Sequence, residues 1–488
     1  MHNQYIQTFK NVQLRKSCLV MLCACTLSGH LFSSPLSEVK GSVVEILVNS
    51  ENPDLEYPWG VGDIESCRGS GVLIEGNRIL TNAHVVDNAT DIKVRRVGGA
   101  QYHDAVVAFI SDERDLALLT VEDESLFDGT KPLDVGPLPD LGDEINVWGF
   151  PDGGTQIAVT RGIVSRIDYD LYTHSSTFNL VIQVDAAINA GASGGPAVVG
   201  GKIAGISFQG YGELDNVGYI IPSTVIKNFL EDAKDGKIDG VPEIAVDMHI
   251  DNPSIREYYQ AGKEGAGVII SKLSGMEKEK GILREGDVIL SIEDHDLSNE
   301  GTVIFPPADR IDFRYLINNH QIGDTLSIDV LGGGNALNLS YTLSYNQQDS
   351  YRMGTHRSGL VSEYLLVGGL VFQELNEDLY NAWEEGTAPA WMVQEYGEYR
   401  EYAIGEDEQL IVLSSLLPDV INEGYEDFQY SRLETVNNEP VKNIEQLKSL
   451  LSKKEKVIVL GFQGGQEAIF TRKMLDRREP IIMEEYGL

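Results

Sequence analysis

Residues Asn189-Ala190-Gly191-Ala192-Ser193-Gly194-Gly195-Pro196 set one hydroxyl among residues with almost no side chain, directly after the apolar run Val181-Ile182-Gln183-Val184-Asp185-Ala186-Ala187-Ile188. Small residues let a backbone turn tightly and bring its amides close to a bound group. An exposed hydroxyl ringed by such amides suits attack on a carbonyl, because the amides can take up the oxyanion that forms. Ser-Gly-Gly alone describes an ordinary turn equally well. A serine becomes a nucleophile only when a base removes its proton, so this stretch constrains the fold through the partners that have to reach it.

Two upstream segments offer those partners. Ile79-Leu80-Thr81-Asn82-Ala83-His84-Val85-Val86 carries a histidine at the end of an apolar, strand-like run. Asp112-Glu113-Arg114-Asp115-Leu116-Ala117-Leu118-Leu119 carries an aspartate entering a second one. Taken singly, His84 reads as a core histidine and Asp115 as a solvated strand cap. Taken together, the chain order His, Asp, Ser is one of the orders in which a hydrolytic triad occurs. Asp104 and Asp112 are rival acids. Asp115 is preferred because the Leu-Ala-Leu-Leu after it would hold its carboxylate at a buried strand end, where an orienting acid belongs.

Arg68-Gly69-Ser70-Gly71-Val72, Thr81-Asn82-Ala83-His84-Val85-Val86, Asp115-Leu116-Ala117-Leu118-Leu119 and Gly191-Ala192-Ser193-Gly194-Gly195-Pro196 resemble, in this order, the motifs of the HtrA/Deg family of trypsin-like serine proteases. The resemblance implies a mostly β chain, with a trypsin-like double β-barrel followed by two α+β PDZ-like domains, the second divergent and enlarged. It implies catalysis by His84, Asp115 and Ser193 in the cleft between the barrels, with the amides of Gly191 and Ser193 as the oxyanion hole. It further implies an ATP-independent endopeptidase of the periplasm or cell envelope that degrades unfolded or damaged proteins, assembled as a homo-oligomer of three subunits or a multiple of three. The family usually has asparagine before the serine, where this chain has Ala192. That departure leaves a second reading open, a chaperone or peptide-binding protein with a mostly inactive triad. In a barrel of this kind the pocket for the residue before the scissile bond is walled by Ala187 and Ile188 and by Ile206, Ser207, Phe208 and Gln209. With no acid among them, small to medium apolar residues are expected there rather than arginine or lysine.

Short apolar or alternating runs separated by Gly, Asp and Pro fill residues 39–230: Val43 to Val48, Gly71 to Ile74, Ile92 to Val94, Ala105 to Ala108, Ile145 to Trp148 and Ile163 to Ile167. Many short strands with turn signals between them predict a barrel or sandwich. Ser223 to Leu230 is predicted to be a closing helix, and Glu231 to Gly240 a linker. Residues 241–345 are expected to form the first PDZ-like domain, with Gly265, Ala266, Gly267 and Val268 as the loop that holds a peptide carboxylate during strand addition. Residues 358–478 are expected to form the second, with Gly368-Gly369 before a strand and a helix from Ile444 to Leu451. The loops Asn49 to Glu65 and Asp168 to Phe178 are expected to be long and to be ordered by a ligand. The Tyr57-Pro58-Trp59 region is a candidate contact between subunits.

Residues 1–34 read as a secretory leader, with Lys10, Arg15 and Lys16 before the apolar run Cys18 to Leu27. That run is far below the roughly 20 residues a spanning helix needs. Leu22-Cys23-Ala24-Cys25 resembles a lipobox and makes Cys25 a candidate lipid anchor. Outside the leader only Cys67 remains, too few for an internal disulfide or a cysteine-based zinc site. Against 38 basic residues stand 75 acidic ones, a net charge of −37, which excludes a nucleic-acid-binding surface in the ordinary sense. Gly332-Gly333-Gly334 lacks the Lys-Ser/Thr of a phosphate loop, and no His-Glu pair has metalloprotease spacing. No metal or other cofactor is expected.

Overall fold

A computed structural model of the chain describes residues 35–151, 156–210, 217–249, 251–261, 266–359, 363–383, 387–396 and 408–488. The leader, with Cys25, and Gly265 lie outside the described residues.

Six strands close a first barrel: β1 (Val43–Pro53), β2 (Val61–Ile74), β3 (Arg78–Thr81), β4 (Ala89–Arg96), β5 (His103–Ser111) and β6 (Leu116–Val121), paired in the order β1-β2-β3-β6-β5-β4. Six more close a second: β7 (Glu144–Gly149), β8 (Ala158–Tyr172), β9 (Thr177–Val184), β10 (Pro196–Val199), β11 (Lys202–Gly210) and β12 (Gly218–Pro222), in the order β10-β11-β12-β9-β8-β7. All six runs picked out by their apolar pattern lie in these strands. Closure leaves no strand edge unpaired and gives each strand one face to bury. In β4, Ile92 and Val94 turn into the first barrel's core while Asp91 and Lys93 stay at the surface.

Both segments expected to be long loops are instead mostly strand. β1 and β2 extend past the barrel as a two-stranded arm joined by residues 54–60, and β8 and β9 run so far that only residues 173–176 join them. Continuous antiparallel pairing satisfies the backbone groups that a loop would leave to water. Trp59, a candidate for contacts between subunits, packs on Tyr364 of the same chain with ring centroids 5.5 Å apart.

The helix Ser223–Asp232 closes the protease region. It extends two residues into the stretch expected to be a linker, and the residues beyond it form no loose tether. Asp232 is buried and accepts a hydrogen bond from Arg114 Nη1 at 2.9 Å, while Arg114 Nη2 donates to Gly240 O at 3.0 Å. The Asp232 carboxylate can be buried here because Arg114, from the first barrel, supplies its counter-ion, while Glu231 and residues 234–237 stay exposed.

The next module is built on the sheet Val246–Met248, Val268–Leu273, Val288–Ile292, Thr325–Gly332 and Asn335–Thr342. Its core is continuous with that of the second barrel. Arg314 stacks over Tyr169 and Phe178 at this seam, and Tyr169 Oη donates to Asn318 at 2.6 Å. The C-terminal module has a separate core under the strands Leu370–Glu374, Ile411–Leu416, Leu433–Val436 and Val457–Phe462 and the helix Ile444–Ser452. Among the described residues no helix is long and apolar enough to cross a membrane.

The C-terminal module lies against the first barrel through polar contacts. His356 sits 3.1 Å from Asp87 and 2.7 Å from Asp378, Ser358 donates its N–H (3.0 Å) and hydroxyl (2.6 Å) to Asp112, and Gly359 N–H bonds Asn88 at 2.9 Å. Burial opposes the charge on His356, but Asp378 and Asp87 outweigh it and push its pKa up to about 11. Burial pushes the Glu113 carboxyl up to about 7, against the bonds it receives from Val241 and Gln348. A raised histidine contributes stability that is complete below its unfolded value of 6.5 and declines as pH climbs toward 11. A raised carboxyl likewise loses its contribution between about 4.5 and 7. Unfolding free energy from guanidinium titrations is therefore expected to fall steadily from about pH 5 to about pH 10, and His356→Gln is expected to flatten the part above about pH 6.5. An unchanged alkaline slope in that variant would show that the ion pair does not hold the module.

Candidate functional site

Three chain segments meet between the barrels. His84 lies in the turn after β3, Asp115 in the turn between β5 and β6, and Ser193 in the loop before β10. Asp115 is 1% exposed and has φ +48, a left-handed conformation that Asp tolerates better than most residues. Its N–H bonds Asp112 O at 2.9 Å, and its own carbonyl accepts from Asn82 Nδ2 at 2.9 Å. So held, its Oδ1 accepts the backbone N–H of His84 at 2.9 Å, and His84 Nδ1 lies 3.0 and 2.8 Å from the two carboxylate oxygens. The rival acids are engaged elsewhere: Asp104 pairs with Lys93 on an exposed strand, and Asp112 holds Ser358.

Ser70, from the Arg-Gly-Ser-Gly motif, ties the serine loop to the first barrel. Its N–H donates to Ser193 O at 2.8 Å, its carbonyl accepts from Thr81 Oγ1 at 2.7 Å, its hydroxyl donates to Gly191 O at 2.7 Å, and that hydroxyl accepts from Phe150 N at 2.8 Å. The loop itself turns at Gly191, where φ is +83 and Ala192 N–H closes onto Asn189 O at 3.0 Å, as in a type II turn with its third residue at positive φ. A Cβ on Gly195 would lie 1.9 Å from Trp148 O, so only glycine fits there. Ala192 sits over Gly149, and a Cβ on that glycine would lie 2.8 Å from Ala192 Cα.

Among the described residues no hydrogen bond joins His84 to Ser193. The Ser193 hydroxyl is 3.4 Å from Phe208 O. Phe208 falls at an irregularity in the pairing of β11 with β12, and its ring is buried 4.7 Å from that of Tyr172. The ring of His174 stacks on that of His84, with centroids 3.9 Å apart and planes 15° apart. Burial, and then the nearness of His84, hold the His174 pKa below the usual histidine value. His84, Asp115 and His174 bring potential metal donors within 4.8 Å of one another. Imidazole lone pairs lie in the ring plane, however, and one ion cannot lie in the planes of two stacked, nearly parallel rings whose centroids are 3.9 Å apart. As placed, the pair is a stack rather than a metal centre.

The residues expected to wall the specificity pocket divide. Ala187 is exposed, Ile188 half-buried, and Ser207 donates its hydroxyl to Ala192 O at 2.7 Å. Ile206 and Phe208 belong to the barrel's core cluster, and of Gln209 the backbone pairs with Tyr219. In the first of the two C-terminal modules Gly267 has φ +71, Ala266 bridges to Ser298 and Val268 opens a buried strand. Arg256 braces this loop from below, donating to Ala261 O at 3.1 Å and Ala266 O at 2.9 Å.

Over the imidazole lies a cavity of about 640 Å³, lined by His84, Asp115, His174 and Ser176 and by His356, Glu377 and Tyr396 of the C-terminal module. No sequence pattern points to this wall. Neither a lone histidine in Tyr-Thr-His-Ser-Ser nor a glutamate far beyond the aspartate in the chain carries a local signal. Ser70 is visible as part of a motif, though not as a strut.

Two family models match the chain: a trypsin-like peptidase domain over residues 69–206 and a PDZ domain over residues 354–488. The chain is 35% identical over 455 residues to Protease Do-like 2, chloroplastic, of Arabidopsis thaliana, covering 92% of this chain and 74% of that protein. It is 32% identical over 453 residues to Protease Do-like 4, mitochondrial, of the same plant, covering 90% and 84%. A solved structure of the HtrA-type protease AlgW with a tripeptide superposes with a TM-score of 0.50 at 26% identity, over 64% of this chain and 95% of that one. With a double barrel, a hydrogen-bonded His-Asp pair, a glycine-bounded serine and this extent of likeness, the chain belongs to the HtrA/Deg family of Do-like proteases and is a serine endopeptidase that carries a PDZ domain.

Proposed function

We propose that Ser193 is the nucleophile of this endopeptidase, that His84 takes its proton and returns it to the leaving amine, and that Asp115 fixes the imidazole tautomer and stabilises its charge. The Gly191 and Ser193 amides receive the oxyanion. The observation that carries this reading is the buried Asp115 carboxylate, which binds both the backbone N–H and Nδ1 of His84 and leaves Nε2 as the nitrogen available to the serine. The substrates are unfolded or damaged proteins, cut without ATP after small to medium apolar residues, in the cell envelope or another compartment beyond the cytosol. Relatives with chloroplastic and mitochondrial names support a compartment of that kind. Residues 241–345 and 358–478 act as PDZ-like modules for peptide binding and assembly into trimers or their multiples. The tripeptide in the name of the solved HtrA-type structure supports peptide binding.

A second reading, a chaperone with a mostly inactive triad, is favoured by one observation: the serine hydroxyl faces Phe208 O and not His84. Casein digestion separates the two. Digestion without nucleotide, unaffected by chelator and with product ends at valine, alanine, isoleucine or leucine, is expected. Equally negligible digestion by wild type and Ser193→Ala, with suppression of aggregation retained in both, would establish the chaperone. Dominant cleavage after basic residues would overturn the pocket assignment.

A further inference from the structure

We propose that Ser70 is a positioning residue for the oxyanion site: its hydroxyl sets the peptide unit that joins the two N–H groups assigned to the oxyanion. This rests on the reading of Ser193 as nucleophile and of the Gly191 and Ser193 amides as its oxyanion donors.

Among the described residues the N–H groups of Gly191 and Ser193 donate no hydrogen bond, whereas those of Ala192, Gly194 and Gly195 bond Asn189 O, Ser207 O and Ala192 O. Gly191 is buried, and a buried amide is ordinarily paired. Two spare amides beside one hydroxyl suit an incoming oxyanion. A peptide unit is planar, so its C=O and N–H point opposite ways, and whatever holds the carbonyl aims the N–H. The Ala192 carbonyl shares a unit with the Ser193 N–H. It accepts the Ser207 hydroxyl at 2.7 Å and the Gly195 N–H at 3.0 Å. The Gly191 carbonyl belongs to the unit between the two donors and accepts the Ser70 hydroxyl at 2.7 Å. Without that bond this unit can turn against its neighbours, and Gly191, having no Cβ, resists little. One oxyanion donor then shifts relative to the other.

Ser70 itself is held firmly. It is 0% exposed, its hydroxyl also accepts from Phe150 N at 2.8 Å, and its carbonyl accepts from Thr81 Oγ1 at 2.7 Å. Its N–H donates to Ser193 O at 2.8 Å, so one buried residue of the first barrel grips the loop at both 191 and 193. Ala192 has no polar side-chain atom with which to brace the turn. The space is closed from the other side as well: a Cβ on Gly149 would lie 3.0 Å from Ser70 Oγ and 2.8 Å from Ala192 Cα.

Cleavage of a chromogenic peptide and inhibition by a peptide boronate of the same sequence separate this role from plain support of the fold. In the boronate complex the Ser193 oxygen bonds to boron, the hydroxyl proton passes to His84, and boron becomes tetrahedral and negatively charged. Its affinity therefore reports the oxyanion donors. In the full chain, Ser70→Ala is expected to lower kcat about 10- to 100-fold with KM within about threefold, and to weaken the boronate by the same factor. Ser70→Cys, with a weaker donor in the same place, is expected to fall between alanine and wild type in both measurements. It keeps the inference testable should thermal melts show the alanine variant unfolding early. A kcat within about threefold of wild type in Ser70→Ala overturns the role of Ser70. A lost kcat with unchanged boronate affinity overturns it too, because the oxyanion donors would then be in place. Both of these outcomes leave Ser193 as the nucleophile. Wild-type activity in Ser193→Ala, or a wild type that neither cleaves the peptide nor binds the boronate, would instead remove that reading and the inference with it.

Discussion

Asp115→Asn is expected to lower kcat on a peptide substrate by about 10⁴-fold with little change in KM or in the melting temperature. The reason lies in which atoms the carboxylate serves. Its Oδ1 accepts the His84 backbone N–H, while both oxygens face His84 Nδ1. An asparagine must keep its carbonyl oxygen toward the backbone donor, because an amide NH₂ there would oppose another N–H. That choice turns the NH₂ toward Nδ1, which then has to be the unprotonated nitrogen. The proton moves to Nε2, and the imidazole can no longer accept a proton from Ser193. Steady-state kinetics on a chromogenic peptide check this. Activity within about tenfold of wild type would show that Asp115 is not the orienting acid and would return the role to Asp112 or Asp104.

Arg114→Met is expected to destabilise the chain by about 3–5 kcal/mol, the usual consequence of leaving one partner of a buried ion pair alone. Arg114 is 1% exposed and bonds Asp232 and Gly240 O. Without it the Asp232 carboxylate stays buried, with only the N–H groups of Asp239 and Gly240 for company, at 3.0 and 3.3 Å. The double variant Arg114→Met/Asp232→Leu removes both charges and is expected to recover most of the loss, since hydrophobic replacement of a whole buried pair is often close to neutral. Guanidinium unfolding of the three proteins reads the effect. A loss below about 1 kcal/mol in the single variant would mean that water reaches Asp232 when the arginine is gone. The position matters for function because Arg114 directly precedes Asp115, and the stretch it pins leads into the next module.

How much of this is legible in advance depends on the range of the interactions. The strands are legible because alternation and short apolar runs are local properties, and the candidate triad because its members sit in motifs with small residues that turning backbones require. Asp115 can be chosen over Asp112 from the apolar run behind it, and Asp112 proves to be a contact for Ser358, 246 residues away. The joint at residues 173–176 cannot be read as short. Tyr169 and Tyr172 look like loop aromatics until the pairing of β8 with β9 gives them a core, and Phe178, itself exposed, lies under the Arg314 guanidinium at the seam. Glu231 to Gly240 looks like a solvated linker because charge usually means water, and a buried arginine contributed by another segment reverses that at Asp232 and Gly240.

The amino-acid sequence alone predicted the short strands from their side-chain period, and its small-residue motifs singled out His84, Asp115 and Ser193, in that order, as candidate hydrolytic groups. That the strands close into two barrels was what the resemblance of those motifs implied. Only the tertiary structure decided that an imidazole lies across His84, that the Ser193 hydroxyl turns to Phe208 O, and that a carboxylate of the last module reaches the joint between β8 and β9. Those contacts join residues from 15 to 201 positions apart, and no local pattern encodes them, because they exist only once two barrels and a third body have packed around one cleft.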